Sequence, residues 1–115
     1  MATPPLRDEI PPGTLEMLIL RTLVLGEEMH GFAIADAILH TSAGILLVEE
    51  GSLYPALQRM LFKGWIVGEW SRTPENRRAR YYRLTSAGRK QLEREITRYD
   101  RVARAISLIL SPRLA

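Results

Sequence analysis

Between Gly13 and Leu25 apolar residues recur densely enough to line two faces of one helix: Leu15, Leu18, Ile19 and Leu23 with Thr22 on the first, Met17, Leu20 and Val24 on the second. Thr14 stands where an N-cap belongs, Glu16 falls in the positive first turn, and Gly26 supplies the stop. A helix apolar on two sides needs cover on two sides. A shorter helix follows from about His30 to Leu39, with Phe32, Ile34, Ala35 and Ile38 inward and Thr41 to Gly44 ending it. Ile45 to Val48 is a β-branched and leucine-rich run that predicts a stub of strand beside a larger sheet. Helix three opens at Ser52 and closes at Gly64, with Leu53, Leu57, Met60 and Leu61 inward. With Ser52 as its N-cap, Pro55 falls in the first turn, where a missing N–H has no intrahelical acceptor to lose.

After Gly64 the period changes to two. Ile66, Gly68 and Trp70 fall on one face and Trp65, Val67 and Glu69 on the other; a second strand, Arg80 to Leu84, sets Tyr82 and Leu84 opposite Tyr81 and Arg83. The polar stretch from Ser71 to Ala79 is the long loop of a hairpin. The last helix starts after Thr85, a good N-cap, and runs to about Leu110 before Pro112, roughly 39 Å at about 1.5 Å per residue. Along it Leu92, Ile96, Tyr99, Ala103, Ile106 and Leu110 recur at alternating steps of four and three, a heptad seam that Val102 and Ile109 widen. Such a stripe left in water calls for a partner, and a second copy is the simplest one.

The 115 residues suffice for one compact domain, and 46% apolar with 25% charged residues are ordinary values for a globular protein. No apolar run approaches the roughly 18 residues that span a bilayer, and the N-terminus shows no secretory pattern, so no membrane partner and a cytoplasmic location are expected. Three segments result: a flexible arm over 1–12, a three-helix and hairpin domain over 13–84, and a dimerisation helix over 85–111. The net charge of +3 is mild but uneven: from Arg72 to Lys90 seven basic residues face Glu75 alone, a local +6 that leaves −3 on the rest. A local positive field on an otherwise acidic molecule suits a polyanion.

No enzyme emerges. Cysteine is absent; His30 and His40 are the only histidines and lie ten residues apart, without metal spacing; no glycine-rich phosphate loop precedes a helix. No cofactor is expected. Turning helix three by about 100° per residue sends Ser52, Pro55, Gln58, Arg59 and Phe62 outward with Tyr54 at the side, hydrogen-bonding groups that suit a major groove. Three helices followed by a hairpin with a basic tip give the fold class, mainly α with a small β-hairpin wing: a winged helix-turn-helix plus a long C-terminal dimerisation helix.

In Pro12-Gly13-Thr14-Leu15, Met29-His30-Gly31-Phe32, Glu49-Glu50-Gly51-Ser52-Leu53-Tyr54-Pro55-Ala56-Leu57, Arg77-Arg78-Ala79-Arg80-Tyr81-Tyr82 and Leu84-Thr85-Ser86-Ala87-Gly88, over about Pro12 to Leu110, the chain resembles the PadR family of bacterial transcriptional regulators. The resemblance implies a dimeric repressor of the smaller subgroup, whose C-terminal helix packs on helix one of its partner and whose recognition helix and wing contact inverted-repeat operators in double-stranded DNA. On that reading Ser52 and Tyr54 approach phosphates, Gln58 or Arg59 approaches base edges, and Pro55 and Lys63 belong to the same surface. Arg77, Arg78 and Arg80 contact backbone or enter the minor groove. His30 and Gly31 open helix two, where amides hold a phosphate or His30 simply caps and packs. Leu15, Leu18 and Leu20 with Leu92, Ile96, Tyr99, Val102, Ala103, Ile106 and Leu110 form the dimer interface. Some relatives bind planar aromatic effectors between subunits, which makes a small-molecule effector near Tyr99 a further partner, although filling the seam is the simpler role for Tyr99. Trp65, Trp70, Tyr81 and Tyr82 read as wing core rather than a stacking platform. The rival class is a winged-helix module for protein association without DNA, for which Arg77, Arg78 and Arg80 on one hairpin have no use.

Overall fold

A computed structural model describes residues 7–111; the first six residues of the expected arm, and Pro112 as terminator, lie outside them. Four helices, α1 (Leu15–Gly26), α2 (Gly31–Thr41), α3 (Glu50–Phe62) and α4 (Ser86–Leu110), are joined by strands β1 (Met29–His30), β2 (Ile66–Arg72) and β3 (Arg78–Leu84) in the order α1-β1-α2-α3-β2-β3-α4. The strands form an antiparallel sheet with β3 in the centre, so Met29 and His30 pair with Tyr82 and Tyr81 on one edge. On the other edge β2 runs in register from Ile66 opposite Leu84 to Arg72 opposite Arg78. This is the winged helix that the hydrophobic pattern implies.

The core gathers Ile19, Leu20 and Leu23 of α1, Ile34 and Ile38 of α2, Leu53, Ala56, Leu57 and Met60 of α3, then Ile66, Tyr82 and Leu92 from the sheet and α4. α1, α2 and α3 supply core residues at three- or four-residue spacing, and burying those stripes against one another is the main source of stability for elements this short. α4 is anchored at its start. Thr85 Oγ1 accepts from Gly88 N at 3.0 Å and donates to Gly64 O at 2.6 Å, tying the helix to the end of α3.

Several expectations need correction. Thr14 is the N-cap residue of α1, as expected, but its hydroxyl makes no capping bond and donates back to Pro11 O at 2.7 Å, and the residue of positive φ after the helix is Glu27 rather than Gly26. Phe32, expected inward, is 72% exposed, because it lies two residues, about 200° of helical turn, from the buried Ile34. The N-cap of α3 is Glu49, not Ser52, so Pro55 is an interior residue whose missing N–H leaves Gly51 O without its helical partner. Ile45 to Val48 forms no strand of the sheet; Leu46 makes only an isolated parallel bridge with Asp8, and Asp8 N donates to Ile45 O at 2.8 Å. The described end of the arm is therefore tied down, with Ile10 against the core. Leu20 and Leu92, assigned to a dimer interface, are 0% and 5% exposed within the single chain and belong to its own core.

Candidate nucleic-acid interface

Three elements converge on Tyr54. It leaves the flank of α3 and lies across Gly31, where a Cβ would meet its phenol oxygen at 2.9 Å and its ring at 3.0 Å. A larger residue there would push the Tyr54 ring aside. In β3 the hydroxyl pKa of Tyr82 is raised by burial, with Arg80 opposing and Tyr54 adding the smallest effect. His30, beside Gly31, pairs with Tyr81 of β3, so the start of α2 joins the flank of α3 to the wing.

His30 caps and packs, which is one of its two expected roles. As N-cap of α2 its Nδ1 accepts from Ala33 N at 3.2 Å, which places the ring proton on Nε2, and its ring meets Tyr81 edge-on at 5.3 Å. Gly31 is buried under Tyr54, so its site contribution is the room it leaves. Ser52, Pro55 and Gln58 are exposed on α3, Ser52 close to its N-terminus.

Arg59 and Lys63 turn away from this surface. Arg59 Nε donates to Glu16 Oε1 of α1 at 3.0 Å, and Lys63 Nζ lies 4.6 Å from the Trp65 ring centre. Lys63, and the Glu16 that Arg59 bonds, act on Glu95 of α4, a residue with no part in the expected site. Its Oε2 is shielded with no hydrogen-bond partner among the described residues, and burial, then the charge of Glu16, raises its pKa against the pull of Lys63 and Arg98. Nothing in the spacing signals this cluster, because its members come from three elements far apart in sequence.

In the wing, the strands extend further toward the tip than the alternation predicts. Arg78 and Arg80 are strand residues, and the turn is confined to Thr73 to Arg77, closed by Thr73 N to Arg77 O and Asn76 N to Thr73 O, both 2.8 Å, with Asn76 at φ 63°. Arg72 donates to Asn76 O at 3.1 Å. Arg77 is exposed in the turn, while Arg78 stacks on Trp70 at 4.6 Å from the ring centre. Trp70 is 56% exposed, so it is a support for arginine and not wing core, whereas Tyr82 at 5% is core.

Among the described residues no three His, Asp or Glu side chains cluster to hold a metal, and no helix is long and apolar enough to cross a membrane. The family model for the PadR-like transcriptional regulators matches residues 19–94. A transcriptional regulator from Clostridium thermocellum superposes with a TM-score of 0.78 at 23% identity, covering 86% of this chain and 95% of that one. A PadR family transcription regulator from Clostridium difficile gives 0.71 at 26% identity, covering 86% and 100%. The PadR of Bacillus subtilis, solved with operator DNA, gives 0.65 at 22% identity, covering 76% and 48%. With the family model spanning well over half of its length and the winged-helix surface built from the same segments, the chain belongs to the PadR-like family and is a DNA-binding transcriptional regulator, not an enzyme.

Proposed function

We propose that the protein is a cytoplasmic repressor that acts as a homodimer on an inverted-repeat operator, with α3 in the major groove and the β2–β3 hairpin on the flanking backbone. The observation that carries this reading is the packing of Tyr54 of α3 over Gly31, whose neighbour His30 pairs with Tyr81 of the arginine-bearing β3, so that a helix flank and a cationic hairpin are joined through the start of α2. Ser52 and Tyr54 take phosphates, Gln58 is the base reader, and Arg77, Arg78 and Arg80 supply charge. Arg59 joins them only by leaving Glu16.

Dimerisation is supported by the seam on α4. Ile96, Tyr99, Val102, Ile106 and Leu110 are 37 to 73% exposed, and in α1 Leu15 and Leu18 are half-buried and available to a partner helix. An aromatic effector is the regulatory part of the proposal, supported by an apolar groove of about 330 Å³ between α1 and α2, lined by Leu18, Thr22 and Leu25 of α1 and by Ala37 and Ile38 of α2, with Leu18 shared with the proposed dimer interface. Titration with a planar aromatic dye should change its fluorescence, and a silent titration removes the effector.

The main test is the salt dependence of binding to a duplex enriched by this protein from a random pool. Each neutralised phosphate adds about 0.9 to the slope of log affinity against log salt, so Arg77→Ala with Arg78→Ala should flatten it by up to about 1.8. An unchanged slope excludes the wing.

A further inference from the structure

Gly68 stands in the middle of β2, opposite Tyr82, and its φ is not in the left-handed region. A glycine inside a strand weakens it, and close approach of another group is a usual reason for one. Here the approaching group is Arg80. A Cβ on residue 68 would meet Arg80 Nε at 2.5 Å, Cζ at 3.2 Å and Cδ at 3.3 Å, so the side chain lies across the empty position.

The direction of that lean matters. Arg80 is registered opposite Trp70, yet its guanidinium reaches Gly68, one step of the same strand face closer to the core. Arg78 behaves alike: registered opposite Arg72, it stacks on Trp70. Both arginines thus step down one face toward α3, the first resting on a tryptophan ring and the second in a glycine gap. Arg80 Nε is shut off from solvent and meets no acceptor among the described residues, which leaves the outer nitrogens as its donors. An arginine free in solvent loses rotamer freedom when it contacts a ligand, while a seated one has lost it on folding.

We propose that Gly68 is a positioning residue for DNA binding: the absent side chain is the seat that aims the Arg80 guanidinium at a phosphate beside the recognition helix. The proposal rests on the operator-binding reading above and divides the labour of the wing. Arg77 adds charge at the tip, and Arg80 fixes how the wing docks relative to α3.

The experiment uses the full chain and the duplex it enriches from a random pool, comparing Gly68→Ala, Arg80→Ala, Arg80→Lys and Gly68→Ala with Arg80→Ala. Losing a charge-assisted contact should weaken binding about tenfold in Arg80→Ala and lower the salt slope by about 0.9. Arg80→Lys keeps the charge without the planar fork, so it should hold the slope and lose affinity. Gly68→Ala should approach the loss of Arg80→Ala, and in the double variant it should add nothing. Gly68→Ala binding like wild type overturns the proposal, as does a silent Arg80→Ala or an equal Gly68→Ala loss in both backgrounds, the mark of a purely structural glycine. In those cases wild-type binding still supports the function; a wild-type chain that enriches no duplex sinks both.

Discussion

Glu95 shows what a single side chain costs when three elements close around it. Its carboxyl titrates above the ordinary value of 4.5 because burial, and then Glu16, disfavour the ionised form. A raised carboxyl pKa means that the folded state binds the proton more tightly than the unfolded one, so ionisation costs stability above the raised value and that cost recedes as pH falls through it. Glu95→Gln should therefore raise the thermal midpoint near neutral pH, and the gap to wild type should close as the pH approaches 4.5. A constant gap across that range would show that the charge of Glu95 is not the cause. Thr85 has the opposite balance: its one hydroxyl satisfies both Gly88 N and Gly64 O, and Thr85→Ala should lower stability by about 1–2 kcal/mol in urea denaturation. The two residues also mark how far single positions can be read from sequence. Thr85 is legible because a cap is a local device with a fixed spacing. Glu95, the Glu16 bond of Arg59 and the burial of Leu20 depend on which helix lies alongside, which no local spacing encodes.

At the scale of elements, the helices announce themselves through period and the sheet only in part. β2 and β3 follow from alternation, but β1 is two residues long and exists because Met29 and His30 meet the free edge of β3. The apolar run at Ile45 offered a stronger strand signal and lost, since its neighbour is the incoming segment at Asp8 instead of the sheet. The start of α3 moved for a related reason: Ser52 is a better N-cap by type than Glu49, yet the turn Ser52 N to Glu49 O at 3.0 Å begins the helix earlier. Pro55 then sits where a proline is costly. Pro55→Ala restores a donor toward Gly51 O and should stabilise the fold by about 1–3 kcal/mol in urea denaturation, with weaker DNA binding if the ring touches the groove. A fall in stability would instead show that the proline ring makes packing contacts worth more than the lost hydrogen bond.

The whole molecule is longer than its core requires. Its radius of gyration is 16.2 Å, against about 13 Å for a compact chain of this size, because the second half of α4 extends past the domain that anchors its start. A two-fold pair bound to one side of B-DNA must place its recognition helices about 34 Å apart, and a projecting helix is a means of setting that distance. Ile106 tests this directly. At 51% exposure it contributes little to the single-chain core, and glutamate is a good helix former, so Ile106→Glu should leave the helical signal in place. Buried against a second copy, the same carboxylate would be an unpaired charge in an apolar seam. Sedimentation at micromolar concentration should find wild type as a dimer whose thermal midpoint rises with concentration, and the variant as a monomer whose midpoint does not. The variant should also lose most of its affinity for a two-half-site duplex while retaining the weak, salt-sensitive binding of one wing and one α3. An Ile106→Glu chain that still sediments as a dimer would move the interface off the α4 seam.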